Sequence, residues 1–378
     1  MISKMLKRFQ AIQKTIRRKA LFNFNRKLTF ISFPCILILF LVTTFLQEEN
    51  TAFVSSLKKN LATYKYYKFN WNKVNIITTN FTIKGEQVCA NEVPFLLIIV
   101  PSMPADRSER NSIRNTYGSY SKVHGRPNAK KQTGSFKDGY IQLIFMMGKA
   151  EEKNTDIMLK KESDLYGDIV QADFEESYPN LTLKILSALK WMMQFCKKAK
   201  FVLKIDEDAF VNIPLLVKFL KSNPPERKGT VYGHIYSNSS PVQRRGRWKV
   251  PFESYPLDYY PSYAAGNSYV LSGNIIQNLV THSEYFPYIP IEDAFITGIL
   301  INSIGAKHLN NFGFTYWLQK QQQPCQFVKE RRITANKVTD SLKDEYWDAC
   351  NNFTKFCSFS DYKNKRLETR KKHHIAVK

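Results

Sequence analysis

Short apolar runs recur along the sequence beyond its first ninety residues. Phe95–Val100 (FLLIIV), Ile141–Met147 and Phe201–Ile205 lack the alternation of a half-buried strand, which is typical of strands buried on both faces. Further strands are predicted at Val231–Ile235 and Ser268–Ser272. Such strands belong inside a sheet that is covered by helices.

Helical patterns separate these runs. Leu181–Cys196 carries polar residues at three- and four-residue steps, which predicts a helix with one outer face. Polar Glu109–Tyr117 and apolar Ala294–Ile304 are also predicted helices, and residues 124–139 are predicted to form a loop. The polar positions of Leu181–Cys196 and of the residue after it are Lys184, Ser187, Lys190, Gln194 and Lys197. The alternation predicts an α/β fold with a mostly parallel sheet flanked by helices.

An apolar segment of a different kind lies near the start of the chain. Residues 28–46 (LTFISFPCILILFLVTTFL) contain no charged residue, and about 20 such residues can span a bilayer as a helix. Basic residues precede the segment and Glu48 and Glu49 follow it, so the positive-inside rule places the N-terminus in the cytosol. A cleaved signal peptide is the alternative, but the run is long and no A-x-A-like site follows it.

These patterns divide the chain into five segments. We expect a cytosolic basic tail at 1–27, a transmembrane signal anchor at 28–46 and a stem at 47–90. A catalytic domain follows at 91–360, and a basic tail ends the chain at 361–378.

The formal net charge of +24 raises nucleic acid as a partner. Nine of the basic residues lie in the first 27 positions, and a second basic group ends the chain. Neither a zinc-finger spacing nor a basic region followed by heptads is present. The sequence therefore favours a protein that does not bind nucleic acid.

Cysteines and glycosylation sequons fit a lumenal location. Beyond the predicted anchor the chain has five cysteines, so at least one is unpaired or pairs between chains. The chain contains no C-x-x-C pair, so a zinc site is not expected. Four Asn-x-Ser/Thr sequons are candidate glycosylation sites: Asn80, Asn180, Asn238 and Asn352. Asn180 alternatively caps the helix that follows it.

The strongest candidate for chemistry is a D-x-D spacing. Asp206 and Asp208 directly follow the apolar run Phe201–Ile205, and ligands bind at the carboxyl ends of strands in open α/β sheets. Carboxylates suit Mn²⁺ or Mg²⁺, and such a cation can bridge a diphosphate. A solvated acidic turn and a hydrolase carboxylate pair are the alternatives.

Two further motifs carry charged groups. Asp293 precedes an apolar helix, where it is either a general base or a helix-terminal acid that stabilises the dipole. Arg110 and Arg114 are four residues apart and share a helix face. Two guanidinium groups can hold a diphosphate, although a surface helix is the ordinary interpretation.

Five blocks in order resemble the β-1,3-galactosyltransferase and β-1,3-N-acetylglucosaminyltransferase family, glycosyltransferase family 31. They are RNSIRNTYG (from Arg110), DIVQADFEESYPNLTLKILSALKWMMQFC (Asp168–Cys196), AKFVLKIDEDAFVNI (Ala199–Ile213), YPSYAAGNSYVLSG (Tyr260–Gly273) and IEDAFITG (Ile291–Gly298). The resemblance covers about residues 93–305. The anchor and stem also fit the type II architecture of that family.

The resemblance implies a GT-A fold, a UDP-sugar donor, Mn²⁺ and inversion at the anomeric carbon. It places Asp206 and Asp208 on the metal motif and Asp293 on the catalytic base. It places Arg110 and Arg114 near the donor, and Lys204 beside the metal motif is a further donor-binding candidate. Trp248, Tyr263 and Asn267 are candidate acceptor contacts, and equally plausible as core or turn residues.

The sequence departs from the family at several positions. Glu207 replaces the middle acid of D-D-D, and Ala264 and Ala265 stand where the family usually has a cysteine. Cys196 then becomes a candidate for the unpaired thiol. Ser268 replaces a family glycine. A third metal ligand is assigned either to His308 or to Asn336.

The sequence thus predicts a single-pass type II Golgi membrane enzyme with a lumenal catalytic domain. It would transfer galactose or N-acetylglucosamine from a UDP-sugar to the glycan of a glycoprotein or glycolipid in β-1,3 linkage. A catalytically inactive relative that binds glycans or assists another transferase is the alternative. A second copy of the chain is a candidate partner.

Overall fold

The computed structural model describes residues 80–90, 93–121, 140–237 and 240–358. The predicted anchor at 28–46, both basic tails, most of the stem and all of the 124–139 loop lie outside these residues. Within the described ranges, every helix is too short or too polar to cross a bilayer.

A twisted sheet of eight strands forms the centre of the described residues. Its strands in chain order are β1 (Phe81–Ile83), β2 (Leu96–Pro101), β3 (Ile141–Lys149), β4 (Ile169–Glu175), β5 (Phe201–Ile205), β7 (Thr230–Tyr236), β8 (Tyr263–Ser272) and β9 (Lys307–Asn310). Two short strands, β6 (Phe210–Val211) and β10 (Thr334–Ala335), form a separate antiparallel pair. The spatial order of the large sheet is β1-β4-β3-β2-β5-β8-β7-β9. The pairs β2–β3, β2–β5, β3–β4 and β7–β9 are parallel, and the other three pairs are antiparallel.

Helices connect and cover the strands. The α-helices are α1 (Arg107–Asn115), α2 (Lys153–Tyr166), α3 (Leu181–Phe195), α4 (Ile213–Ser222), α5 (Ile276–Ser283), α6 (Ile301–Ile304), α7 (Pro324–Lys329) and α8 (Asp340–Asn351). A π-helical segment, Ala294–Leu300, runs directly into α6. Single 3₁₀ turns occupy Glu86–Cys89, Tyr117–Tyr120, Tyr178–Asn180 and Gly273–Ile275. The predicted α/β class is confirmed.

The apolar runs form strands because both faces of the sheet are covered. In β2, Leu97 and Ile99 belong to one hydrophobic cluster, which includes residues of α3. Leu96, Ile98 and Val100 belong to a second cluster on the other face. All six residues of β2 are buried, which explains the continuous apolar run.

The predicted outer face of α3 is wrong at two of its positions. Lys184 and Ser187 are buried, and the Lys184 ammonium lies 2.6 Å from Glu176 Oε1. It also donates to the carbonyl of Ser102 at 2.9 Å. Polar spacing marked the correct helix, but an ion pair allows a lysine to lie on its buried side.

The cysteine prediction is also corrected. Cys196 is not the unpaired thiol, because it forms a disulfide with Cys89. Cys325 and Cys357 form a second disulfide. Cys350 is the free cysteine of the described residues. The partner of Cys196 lies 107 positions earlier in the chain, a pairing that sequence spacing does not reveal.

Candidate active site

The D-x-D motif begins where β5 ends. β5 pairs with β2 on one side and with antiparallel β8 on the other. The Asp206 N–H donates to the carbonyl of Asn267 at 3.0 Å, which continues the pairing beyond the strand. Because β8 runs in the opposite direction, its residues Gly266 and Asn267 lie beside the first acid of the motif.

Lys204 is buried and joins three segments of the site. Its ammonium lies 2.6 Å from Asp206 Oδ1 and 3.5 Å from Glu292 Oε2, and it donates to the carbonyl of Gly266. Burial alone would lower its pKa, but the charges of Asp206, Glu292 and Asp293 outweigh this effect and raise it. Lys204 is therefore a permanent cation engaged by protein groups, and its predicted contact with the donor stays a prediction.

Glu292 is buried and Asp293 is half-buried, and both lie in the helical turn that runs into the π-helical segment. Burial is the main cause that raises the pKa of Glu292 to about 7 and that of Asp293 to about 6. Glu292 accepts a hydrogen bond from the Tyr269 hydroxyl. Asp293 Oδ1 accepts the N–H of Ala294 at 2.8 Å, at the start of the π-helical segment. Asp293 is thus both a helix-terminal acid and a carboxylate with a pKa suited to general base catalysis.

The backbone of Gly266 lies against Asp293. A Cβ atom at position 266 would come within 2.8 Å of Asp293 Oδ2. A side chain here would therefore push the Asp293 carboxylate aside, and close approach is the only constraint, since Gly266 is not among the residues with positive φ.

A cavity of about 360 Å³ opens at this end of the sheet. Lys204, Asp206 and Asp293 line it, together with Trp248, Tyr263 and Asn267, the three candidate acceptor contacts. The structure thus brings six of the predicted site residues to one place. Further lining residues include Tyr178, Tyr236, Arg247, Tyr260, Gly266, Glu292 and Trp317.

Several polar atoms of the cavity wall lack a protein partner. Both side-chain amide atoms of Asn267 and the Tyr260 hydroxyl are buried without a hydrogen bond to any other described group. Buried polar groups are normally satisfied. A polar ligand or water is therefore needed to complete this wall.

The second acid of the motif, Asp208, lies at the surface beside Asp206. The residue is exposed overall, but partial desolvation of its carboxyl group and then the charge of Asp206 raise its pKa. A divalent cation would relieve this repulsion, and two carboxylates leave room for phosphate oxygens in the metal shell. The residues present therefore fit a hard cation.

The proposed third ligands do not reach this motif. The ring Nε2 of His308 lies 2.6 Å from the carbonyl of Thr297. The Asn336 amide is buried and bonded to Thr315 and Tyr316. Across the described residues, no group of three or more His, Cys, Asp or Glu side chains is arranged to hold a metal. The structure therefore does not support either His308 or Asn336 as the third metal ligand.

Arg110 and Arg114 lie in the protein interior rather than in the cavity. Arg110 donates to both oxygens of Glu162 at 2.8 and 2.7 Å. Arg114 donates to Glu162 at 2.7 Å and to both oxygens of Asp168 at 2.9 and 2.7 Å. These bonds engage the guanidinium groups with carboxylates, so the contacts favour a structural role over the predicted diphosphate contact.

The sequon asparagines differ in exposure. Asn80 and Asn352 are exposed and Asn180 is partly exposed, whereas Asn238 lies outside the described residues. Asn180 donates its amide to the carbonyl of Glu175 at 2.9 Å and makes no side-chain cap bond to α3. Asn180 therefore occupies the predicted N-cap position of α3, but its side chain does not cap the helix.

A carboxyl pair beside the motif, Glu207 and Asp106, was not predicted from the sequence. Burial and then the neighbouring Asp106 raise the pKa of Glu207 to about 8, although a hydrogen bond with Ser102 opposes the shift. One Glu207 oxygen is buried without a partner among the described residues. No spacing links the two positions, because they follow β2 and β5, which become neighbours only in the folded sheet.

Comparison with known proteins identifies the family. The sequence profile described as galactosyltransferase matches residues 108–312. Human β-1,3-galactosyltransferase 1 is 28% identical over 277 residues, which are 73% of this chain and 79% of that protein. Lactosylceramide 1,3-N-acetyl-β-D-glucosaminyltransferase A of Xenopus laevis is 28% identical over 330 residues, 82% of each chain.

Solved structures show only weak likeness. A glycosyltransferase involved in glycosylation of the major capsid of PBCV-1 gives a TM-score of 0.33 at 12% identity, covering 67% of this chain and 98% of that chain. The galactosyltransferase LgtC gives 0.28 at 11% identity, covering 58% and 74%. These values support no argument, so the family rests on the sequence match. The chain belongs to the galactosyltransferase family, glycosyltransferase family 31, whose sequence blocks it carries in order.

Proposed function

We propose that the chain transfers a hexose, galactose or N-acetylglucosamine, from a UDP-sugar to a glycan acceptor in β-1,3 linkage with inversion. The observation that carries the proposal is the convergence of Asp206 and Asp293 on one cavity. An acid that fits a donor-side cation and a base with a raised pKa are thus available to one bound substrate pair. We extend the proposal to a GT-A type of fold, since β2 to β5, which lead to the motif, are parallel.

Asp293 is the proposed general base. Its Oδ1 is occupied by the N–H of Ala294, so Oδ2 is the atom that accepts the proton of the acceptor hydroxyl. The acceptor oxygen forms a bond to the anomeric carbon while the bond from that carbon to the UDP oxygen breaks. The proton passes to Asp293 and the electron pair leaves with UDP, so the reaction balances without a further reactant.

Asp206 and Asp208 would hold Mn²⁺ or Mg²⁺. When bound, such an ion neutralises the diphosphate of the leaving group. Lys204 keeps Asp206 in place and compensates part of the negative charge of Glu292 and Asp293. Glu292 accepts a hydrogen bond from Tyr269 and thereby anchors the helical turn that carries the base.

A Golgi location with the cavity in the lumen completes the proposal. The charge-free segment 28–46 supports a type II anchor. Two disulfides and the exposed sequons Asn80 and Asn352 support an oxidising, glycosylating compartment.

The test uses the purified full chain in detergent. UDP release is measured with a panel of UDP-sugars and simple glycoside acceptors, in Mn²⁺ and in EDTA, and the product linkage is read by proton NMR. We expect one preferred donor, a requirement for the metal and a β-1,3 product. A folded chain that binds no UDP in Mn²⁺ would contradict the proposal and favour an inactive relative.

A further inference from the structure

Tyr178, Trp248 and Trp317 form an aromatic end of the cavity lining. The indole N–H of Trp248 donates to the Tyr178 hydroxyl at 3.3 Å, and the rings of Trp248 and Trp317 meet edge to face with centroids 6.0 Å apart. Tyr178 and Trp317 remain 53% and 54% exposed. Large aromatic faces left open at a cavity mouth are suited to the apolar face of a sugar ring.

Arg247 supplies an uncompensated charge at this end. It lines the cavity, and its guanidinium lies 4.4 Å from the centre of the Tyr178 ring. Lys204, the other cation of the lining, is neutralised by Asp206 and Glu292. Among the ion pairs of the described residues, none includes Arg247. A guanidinium placed over an aromatic ring can still present its N–H groups to an anion.

The segment that carries Arg247 is held in a defined conformation. Residues 240–262 connect β7 to β8, and Arg244 binds this connection from inside. Its guanidinium donates to the carbonyls of Val250 at 2.9 Å, Tyr255 at 2.8 Å and Leu257 at 2.6 Å. Arg247 and Trp248 are therefore presented by a braced loop, which lowers the entropic cost of binding.

An aromatic wall joins this end of the cavity to the proposed base. The rings of Tyr236 and Tyr263 are 5.2 Å apart, and both line the cavity beside Asp293. The charge of Asp293 contributes to the raised pKa of both hydroxyls, after burial. The Tyr236 hydroxyl also forms a hydrogen bond with the backbone of Trp317, so the two tyrosines link the base, where the acceptor hydroxyl must lie, to Trp317.

We infer that Arg247 binds a carboxylate of the acceptor glycan, while Trp317 and Trp248 pack against its sugar rings. The natural acceptor would then contain an acidic sugar. This inference rests on the proposed function, because it assigns the aromatic end to the acceptor. The donor diphosphate is the other source of an anion, and the test separates the two.

Two matched probes test the inference on the full chain. Phenyl β-D-glucuronide and phenyl β-D-glucoside differ only at C6, which is a carboxylate in the first and a hydroxymethyl group in the second. Their dissociation constants are measured by NMR titration at low salt without donor or metal, so the result does not depend on transfer. We expect the glucuronide to bind about tenfold more tightly, as a charge-assisted hydrogen bond provides.

Variants assign the preference to one side chain. Arg247→Gln should bring the ratio of the two dissociation constants close to one and leave UDP affinity in Mn²⁺ unchanged. Arg245→Gln is the control, since Arg245 is also exposed but does not line the cavity, and it should keep the wild-type ratio.

Four results would overturn the inference. In the wild type these are no binding of either glycoside and equal binding of both. A third is a glucuronide preference that does not depend on Arg247, because it survives in Arg247→Gln or disappears equally in Arg245→Gln. The fourth is a loss of UDP affinity in Arg247→Gln. The last result would assign Arg247 to the donor. Failure of the proposed function appears differently, as an intact glucuronide preference with no UDP binding or turnover.

Discussion

Gly266 has no side chain, and this leaves room for the Asp293 carboxylate. Because a Cβ at position 266 would come within 2.8 Å of Asp293 Oδ2, Gly266→Ala must displace the carboxylate or the strand. We expect kcat to fall about 100-fold, since a shift of about 1 Å in a catalytic group can cost this much. Steady-state kinetics beside a thermal melt check the prediction. Unchanged kcat in a folded variant would show that the Asp293 position is not critical.

Burial of Asp293 also sets a pH dependence. Burial raises its pKa to about 6, and a general base works only when deprotonated. Activity at saturating metal should therefore rise with pH and level off above about pH 7, with the midpoint of the acid limb near 6. A kcat/KM profile measures this midpoint. A limb centred near pH 4, the ordinary value of an aspartate, would contradict the assignment.

At the scale of elements, α1 is fixed to the fold by buried charge pairs. Arg114 bonds both Glu162 and Asp168, and all three side chains are at most 3% exposed. Arg114→Met would remove two hydrogen bonds to the buried Asp168 carboxylate and one to Glu162, which Arg110 still binds. Removing one partner of such a pair costs about 3–5 kcal/mol in the free energy of unfolding.

Denaturant unfolding tests this role against an exposed pair. Lys160→Ala removes the Lys160–Asp164 pair, in which both side chains are 61% exposed, and should cost under about 0.5 kcal/mol. If Arg114→Met unfolded like the wild type but lost UDP affinity, Arg114 would be a donor ligand after all.

Strands were predictable from the sequence where burial alone sets the pattern of apolar residues. Phe201–Ile205 was predicted with the observed bounds, and Val231–Ile235 lies within β7. Ser268–Ser272 is only the second half of β8, because Ala264, Ala265, Gly266 and Asn267 have low strand propensity. The π-helical form of Ala294–Leu300 leaves no trace in spacing, since it depends on packing.

Whole-molecule contacts were the least predictable part of the site. The D-x-D motif and Asp293 follow from local pattern and family resemblance. Their neighbours Tyr178, Arg247 and Trp317 come from three connections that meet only in the folded chain. Arg110 and Arg114 show the reverse error, since their spacing suggested a phosphate site while their carboxylate partners lie about 50 positions away, with separations of 48 to 54.

The disulfide Cys89–Cys196 links distant parts of the molecule. It ties the segment before β2 to the end of α3 across 107 positions. Cys89→Ser should lower the free energy of unfolding by about 2–5 kcal/mol, because the unfolded chain loses a long cross-link. Chemical denaturation measures the change, and Cys350→Ser, which removes the free thiol, is the control. Equal stability of both variants would contradict the pairing.

The central claim is that Asp293 in this cavity removes the proton of an acceptor hydroxyl. The most direct test compares kcat of the wild type and Asp293→Asn with the preferred donor in Mn²⁺, while calorimetry measures UDP binding to both. We predict a loss of kcat of about 100-fold or more with UDP affinity retained. An Asp293→Asn chain that turns over at the wild-type rate would contradict the account.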